Sequence, residues 1–562
     1  MIQDATGANP ELQEFAAEFW DWRERYQPFD RDDIPRIERR PGKRDSSATS
    51  ITKQRAALSR FEARWKAMNP QSWSVPRQVD HRLMGSALAR VRWELDVNRR
   101  WERDPTFYVN QTLTALVEAL VELPPFDAAR SRQIAETMGA IPEILEGGKE
   151  NLHAVRPFAK LAVDSLQNIR GVLSEVQKGA ASLLHGDGSG SGSAGDIAEQ
   201  FRSATGRAIN ALESYRTWLV GGLCGMAEGT AVGRQGYSFF LTDVALLPYT
   251  PEQLLSMSRQ EWERAVTFEQ LEKQRNRGLP ELTIARDADK QIRNSERDEL
   301  AIRKFLEDKK IVTIPPEIGH YAIRLMPDYL DALAGFGELD DFLHAPGVRY
   351  INQPSPDLGY FWLATAKDPR PDMVHEGIPG HYLQLAISRL HENPIRRHYY
   401  DSGPNEGIGF YAEEMMLQAG LFDDSPRSRE IIYNFMRLRA LRVEVDVRLA
   451  LGSFTIEEAG DYLARYVPMD RKTAEAEAAA FATGPGQAIT YQIGKIQVLR
   501  FLADARLKQG DAFDLRAFHD YLWKNGNVPI SLLRWEYLGL DDDVRAIDRL
   551  TGGHASPQSL AN

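Results

Sequence analysis

Cysteine is almost missing: Cys224 is the only one in 562 residues. No intrachain disulfide can form, so the fold does not depend on an oxidising compartment. Cys224 lies in the apolar run 218–226 and reads as a small buried hydrophobe rather than a nucleophile. An excess of basic charge is lacking too. Lys and Arg total 69 against 80 Asp and Glu, a formal net charge of −11, which argues against a phosphate-tracking surface and a nucleic-acid partner. The basic residues within 36–44 and 275–303 are interleaved with acids and read as solvated helix faces. No stretch approaches the roughly 20 apolar residues that cross a bilayer. Residues 1–19 show no basic segment followed by a long apolar core. No membrane partner is expected, and the cytoplasm is the default location. No internal repeat is visible.

What the chain has is helical periodicity. Apolar residues recur at helical spacing over 11–27, 53–68, 79–101, 107–122, 127–146, 158–185, 196–218, 251–275, 288–308 and 427–451. The expected class is mainly α: a large helical fold with a small β-sheet beside the active-site helix. Residues 186–195 are a Gly/Ser/Asp tract without side chains for a core and read as a flexible loop. That loop divides an N-terminal helical region, 1–185, from a catalytic region, 196–562, and the two can still form one compact unit. Two segments break the helical pattern. Lys310–Pro315 and Tyr360–Thr365 are short, β-branched or aromatic, and bounded by Pro and Gly, so both are expected as strands. An exposed edge of the second can take up an extended chain by main-chain hydrogen bonds, with Tyr360, Phe361 and Trp362 along the cleft.

The chemistry is concentrated in one place. Residues 375–381 read His-Glu-Gly-Ile-Pro-Gly-His, and Asn405-Glu406-Gly407 follows. Two imidazoles and two carboxylates are what a catalytic zinc site needs: three protein ligands, an open position for water, and a base. The histidine spacing is unusual. Six residues apart on an ideal helix, they would point about 240° apart. Pro379-Gly380 is the expected break, because proline removes a helical hydrogen bond and glycine tolerates unusual dihedrals. Glu406 and Glu413 are seven residues apart, about two turns, and fall on one wall of a helix. Arg442 and Asp446, four apart, read as a helix-face pair.

Several ordered motifs resemble the domain-of-unknown-function 885 family. Thr365–Gln384 resembles its His-Glu-small-Ile-Pro-Gly-His-His-Leu-Gln pattern, Glu406–Glu413 its Glu-Gly-Trp-Ala-Leu-Tyr-Ala-Glu, and Gly484–Ala488 with Tyr491 and Gly494 its Pro-Gly-Gln segment. The segments 250–254 and 513–529 resemble a mid-chain helix start and the C-terminal end of that family. The resemblance spans roughly 200–540. Three positions depart from it: Tyr382 stands where a second histidine is usual, Ile408 replaces a tryptophan, and Ala480 an arginine. The same residues resemble the gluzincin, thermolysin-like zinc peptidases, whose aminopeptidase branch has an Asn-Glu-Gly carrying the third ligand.

The resemblance implies a metallopeptidase with one Zn2+ per chain on His375, His381 and Glu406, and Glu376 as general base. The substrate would be a peptide or a small amide. Tyr491 is the candidate donor to the oxyanion, and Gln487 a weaker one. Glu413 would orient a ligand imidazole through its other nitrogen, while Tyr360 and Tyr382 would lie near substrate. Two other readings stay open: a non-haem iron protein, since two histidines and one carboxylate also describe that facial triad, and a non-enzymatic helical binding protein with a degenerate site.

Overall fold

The computed structural model describes residues 10–30, 39, 42–185, 194–340, 342 and 346–552. The protein is 72% helical, which establishes the mainly α class. The principal ones are α1 (Pro10–Tyr26), α2 (Ala48–Ala67), α3 (Val75–Arg92), α4 (Ala128–Asn151) and α5 (Ala194–Gly222). They continue with α6 (Pro251–Arg275), α7 (Ala288–Asp308), α8 (Tyr360–Lys367), α9 (His381–Arg389) and α10 (Ser402–Ala419). The C-terminal set is α11 (Pro426–Leu451), α12 (Arg471–Thr483), α13 (Thr490–Gln509) and α14 (Leu515–Lys524). Among the described residues, no helix is long and apolar enough to cross a membrane.

Local chemistry explains the boundaries. Pro251 opens α6 behind a capping box in which the Thr250 side chain accepts from the Gln253 amide and the Gln253 side chain accepts from the Thr250 amide. Asp287 caps α7 in the same way through the Lys290 amide. The periodic stretch 158–185 is interrupted: helices Arg156–Ser165 and Ile169–Ala180 are separated where Leu166 turns into the core. Residues 79–101 are not one α-helix either. After α3 comes a wider π-type turn, Trp93–Asn98, ended by Arg99 in the left-handed region at φ 49°.

The two expected strands are not strands. Tyr360–Thr365 is the first part of α8, begun at Gly359 and continued by Ala364, Ala366 and Lys367, all good helix formers. Its aromatic residues had suggested a strand, yet they pack sideways on α11, where Tyr360 and Phe361 meet Phe435. Lys310 turns in the left-handed region at φ 53°, and residues 311–315 after it have no regular structure and pair with no strand. Their polar groups bond to α14 instead: the Thr313 amide to Asp520 Oδ1 at 2.7 Å, and Ile311 O to His519 Nδ1 at 2.8 Å. The real sheet is two parallel strands, β1 (Ala322–Leu325) and β2 (Val348–Ile351), in register Ala322 to Val348 through Leu325 to Ile351. It does lie beside the site: Arg349 of β2 pairs with Asp372, three residues before His375. Cys224 is exposed, not buried. α5 leaves the core after Leu219, so Trp218 and Val220 are exposed as well.

One continuous core joins the ends of the chain. Leu12, Phe15 and Phe19 of α1 belong to the same cluster as Val374, Ile408, Phe501 and Ile547. A second core takes residues from both sides of the Gly/Ser tract, among them Ile134, Leu173, Ile197 and Phe201. The expected loop itself falls mostly on 186–193, outside the described residues, and α5 already begins at Ala194. α10 and α13 cross where Gly407 meets Gly494; a Cβ on Gly407 would lie 2.6 Å from the Gly494 backbone. Beside that crossing the fully buried Lys495 of α13 holds Glu414 of α10 at 2.8 Å.

His519 ties α14 to this centre. It is buried, its Nδ1 faces Ile311 O at 2.8 Å and its Nε2 faces the Tyr411 hydroxyl at 2.9 Å. A neutral ring satisfies both by donating at Nδ1 and accepting at Nε2. Burial pushes the His519 imidazole down to about 4, only partly opposed by its bond to Ile311. The unfolded ring takes a proton near 6.5, so the native state loses stability as pH falls from about 6.5 to about 4. The integrated effect is about 3 kcal/mol. His519→Gln, which cannot take up the proton, is expected to show a shallower drop in denaturation midpoint across that window; an unchanged slope would refute this assignment.

Candidate metal centre

The segment that carries the histidines is broken as the Pro-Gly pair requires. Met373–Gly377 is a π-type turn, Ile378 is extended, the Ile378–Pro379 peptide is cis, and α9 starts at His381. Gly380 allows the reversal: a Cβ there would sit 1.7 Å from His375 O, so backbone lies directly on backbone. Trp523 of α14 secures the bend by donating from Nε1 to Pro379 O at 2.6 Å. The result brings the two imidazoles together, ring centroids 4.7 Å apart and planes 77° to one another.

α10 brings the third group. Asp401 caps it through the Gly403 amide at 2.8 Å and is itself held by Arg90 of α3 at 2.6 Å. Glu406 then lies one turn in, 1% exposed. Its Oε2 is 3.2 Å from His375 Nε2 and 3.3 Å from His381 Nε2. The three donor atoms lie within 4.8 Å of one another. A tetrahedral ion with bonds of about 2.0–2.2 Å separates its ligand atoms by about 3.3–3.6 Å. The two carboxylate–imidazole distances lie close to that edge, and two imidazoles with one carboxylate are donors that zinc accepts.

The surrounding charges support a cation at this point. Burial opposes ionisation of Glu406, but His381 and His375 outweigh it and hold the carboxyl well below its usual range. Burial also works against a charge on His375, whereas Glu406 and Glu413 lift it to about 10. His375 Nδ1 lies 2.7 Å from Glu413 Oε1, and Arg439 Nη2 lies 2.9 Å from the same oxygen. Glu413, which is fully buried, thus stands behind the ligand imidazole. Glu376 is partly exposed beside the triad. Burial raises its carboxyl, and His375, His381 and Arg349 more than offset this, leaving it below the ordinary value. Arg349 is in turn paired with Asp340 and with Asp372, the latter at 2.5 Å.

The remaining expected residues divide. Tyr491 stacks on His375, centroids 6.0 Å apart and planes within 14°. Tyr360 donates its hydroxyl to Asn434 and packs on Phe435, with partial exposure. Tyr382 turns away from the triad: its hydroxyl donates to Gly319 O at 3.1 Å and its ring meets Tyr321 and Phe342 edge-on. A tyrosine in place of the family's second histidine therefore leaves the three donors untouched. Gln487 lines a cavity of about 340 Å³ with Phe29, Trp93, Pro404 and Gly486; none of the triad lines it. Donor chemistry, not cavity size, marks the candidate site. Arg442 and Asp446 do not pair. Arg442 is bound to Glu477 at 2.7 and 2.8 Å, and Asp446 accepts the amides of Gly486, Ala488 and Ile489. Each found a better partner across the fold than its neighbour one turn away. Arg439 and Arg349 were missed, because no local motif marks them: Arg439 reaches Glu413, 26 residues away, and Arg349 reaches Asp372, 23 residues away.

Replacing Glu413 by Gln removes the carboxylate behind His375. Losses of about 10–100-fold in metal affinity follow such changes, and Glu413→Gln is expected to show one in competition with a chromophoric chelator. Unaltered affinity would mean that Glu413 serves packing alone.

Comparisons with known proteins agree with the fold. Among solved structures, a putative lipoprotein of unknown function from Shewanella oneidensis is 18% identical with a TM-score of 0.68, covering 94% of this chain and 99% of that one. The putative lipoprotein from Colwellia psychrerythraea is 17% identical with a TM-score of 0.69, covering 96% and 98%. At these identities the likeness concerns architecture. No curated protein matches. The family model described as "Bacterial protein of unknown function (DUF885)" matches residues 42–536, and the chain, with its His-Glu…His and Glu-Gly motifs folded onto one buried point, belongs to that family.

Proposed function

We propose that this protein is a zinc-dependent hydrolase of peptide or amide bonds. The observation that carries the reading is the triad: two imidazole nitrogens 3.2 and 3.3 Å from one buried carboxylate oxygen, with a second, partly exposed carboxylate on the residue after the first histidine. When bound, the ion would polarise the scissile carbonyl and acidify a water. His375, His381 and Glu406 would hold it, and Glu413 would keep the His375 ring in place.

The chain's own groups supply the proton traffic. Glu376 is below the ordinary carboxyl value, because two imidazoles and Arg349 outweigh its burial. It is therefore ionised at neutral pH and suited to take a proton on its carboxylate and return it to the leaving nitrogen. Neither oxygen activation nor simple binding gives this residue a task, which favours hydrolysis. Tyr491, stacked on His375, is the nearest candidate to donate a hydrogen bond to the developing oxyanion. The order His-Glu…His…Asn-Glu-Gly is also that of gluzincin peptidases, which supports a peptide or amide substrate.

A screen of short peptides and acylamino acids against zinc-loaded protein tests the proposal. Hydrolysis is expected in the wild type, and Glu376→Gln is expected to lower kcat by about 100–10,000-fold while keeping its metal. A metal-loaded wild type that cleaves no library member, or a Glu376→Gln variant as active as wild type, would overturn it.

A further inference from the structure

Two arginines lie against Tyr491, the ring that also stacks on His375. Arg439 and Arg442, three residues apart on α11, are both 5% exposed. Their guanidinium carbons lie 5.5 and 4.5 Å from the Tyr491 ring centroid. Neighbouring like charges on one helix face repel, and each buried one needs its donors satisfied. These donors are not. Arg439 gives one nitrogen to Glu413, while its Nε and Nη1 are buried without partners. Arg442 gives Nε and Nη2 to Glu477, and its Nη1 has no hydrogen-bond partner among the described residues.

The walls around Arg442 fit a ligand as well as a packing role. Phe361 and Phe481 flank it at 5.7 and 5.5 Å, and Phe361 is partly exposed. Tyr491 stacks on His375 at 6.0 Å and on Arg442 at 4.5 Å, so at most about 10.5 Å separates the imidazole from the guanidinium. An ion about 2.0–2.1 Å from the imidazole nitrogen would take up part of that span, and one amino-acid residue would cover the rest. Its carboxylate stands about 3.8 Å or less from the amide it closes, and a charge-assisted hydrogen bond to an arginine adds about 2.8 Å. Arg442 also keeps its charge: burial disfavours it, but Glu477, Tyr491 and Glu406 outweigh burial.

We infer that Arg442, backed by Arg439, is a subsite for a free carboxylate one residue beyond the scissile bond. Resting on the hydrolase reading above, this makes the substrates short peptides or acylamino acids with an unblocked C-terminus. Removal of the last residue is the expected reaction, in which water's oxygen bonds to the acyl carbon, the C–N bond breaks, and the proton moves through Glu376 to the departing amine. Glu413 takes one nitrogen of Arg439 and Glu477 takes two of Arg442, which leaves the remaining donors for the substrate.

Calorimetry on the zinc-loaded Glu376→Gln variant reads binding without turnover. An N-acetylated dipeptide with a free carboxylate is titrated beside the same dipeptide as its C-terminal amide. The acid is expected to bind at least ten-fold more tightly, and the preference to fall below three-fold when Arg442→Gln and Glu477→Gln are added together, so that no buried carboxylate loses its partner. Equal binding of acid and amide, binding of neither, or a preference that survives the added pair would overturn the subsite. Failure of the hydrolase reading is distinguishable: no amide would then be cleaved by the wild type, whatever the binding ratio.

Discussion

Glu406 is a carboxylate buried at the meeting point of two imidazoles, and the rest of the site follows from keeping it there. A lone buried carboxylate is strongly disfavoured unless it is paired. Its oxygen lies at near-equal distances from His375 Nε2 and His381 Nε2, a geometry that concentrates donors at one point. To bring this about, the chain has to turn back between the histidines, and the turn is tight enough that only glycine fits at 380. It also has to bring α10 close to α13, which happens at a crossing of Gly407 on Gly494.

Around this point the charges are arranged in layers. Glu413 stands between His375 and Arg439, so the ligand ring is held by an acid that is itself held by a base. On the other side Arg349 of the small sheet spans Asp340 and Asp372 and contributes to keeping Glu376 ionised. The two-stranded sheet delivers this arginine. α11 serves both layers: Arg439 faces Glu413, and one turn on Arg442 faces Glu477 and the Tyr491 ring. Charges buried in this way cost stability unless an opposite charge meets them.

The donors were legible in the sequence because their chemistry is local. His-Glu and a histidine six residues on, interrupted by Pro-Gly, specify a kink, and Glu406 with Glu413 two turns later specifies one helix wall. Most long helices were legible for the same reason: α6, α7 and α11 follow their apolar period and capping residues closely. What failed was whatever depends on distant partners. The aromatic run at 360–365 looks like a strand, but α11 offers it a surface and no neighbouring ladder, so it coils. The run at 310–315 opens on a left-handed turn at Lys310 and has the Thr313 amide and the Ile311 carbonyl claimed by Asp520 and His519. Arg442 and Asp446 are spaced to pair, yet each is drawn across the fold, to Glu477 and to the amides after Pro485. Cys224 sits in an apolar run that the end of α5 carries out of the core.

Anomalous diffraction from a zinc-soaked crystal, collected at the zinc absorption edge, tests the central claim most directly. A single ion per chain is expected about 2.0–2.2 Å from His375 Nε2, His381 Nε2 and a Glu406 oxygen, with Glu376 outside bonding distance. No peak at that point, or a peak held by the Asp340 and Asp372 carboxylates instead, would contradict it.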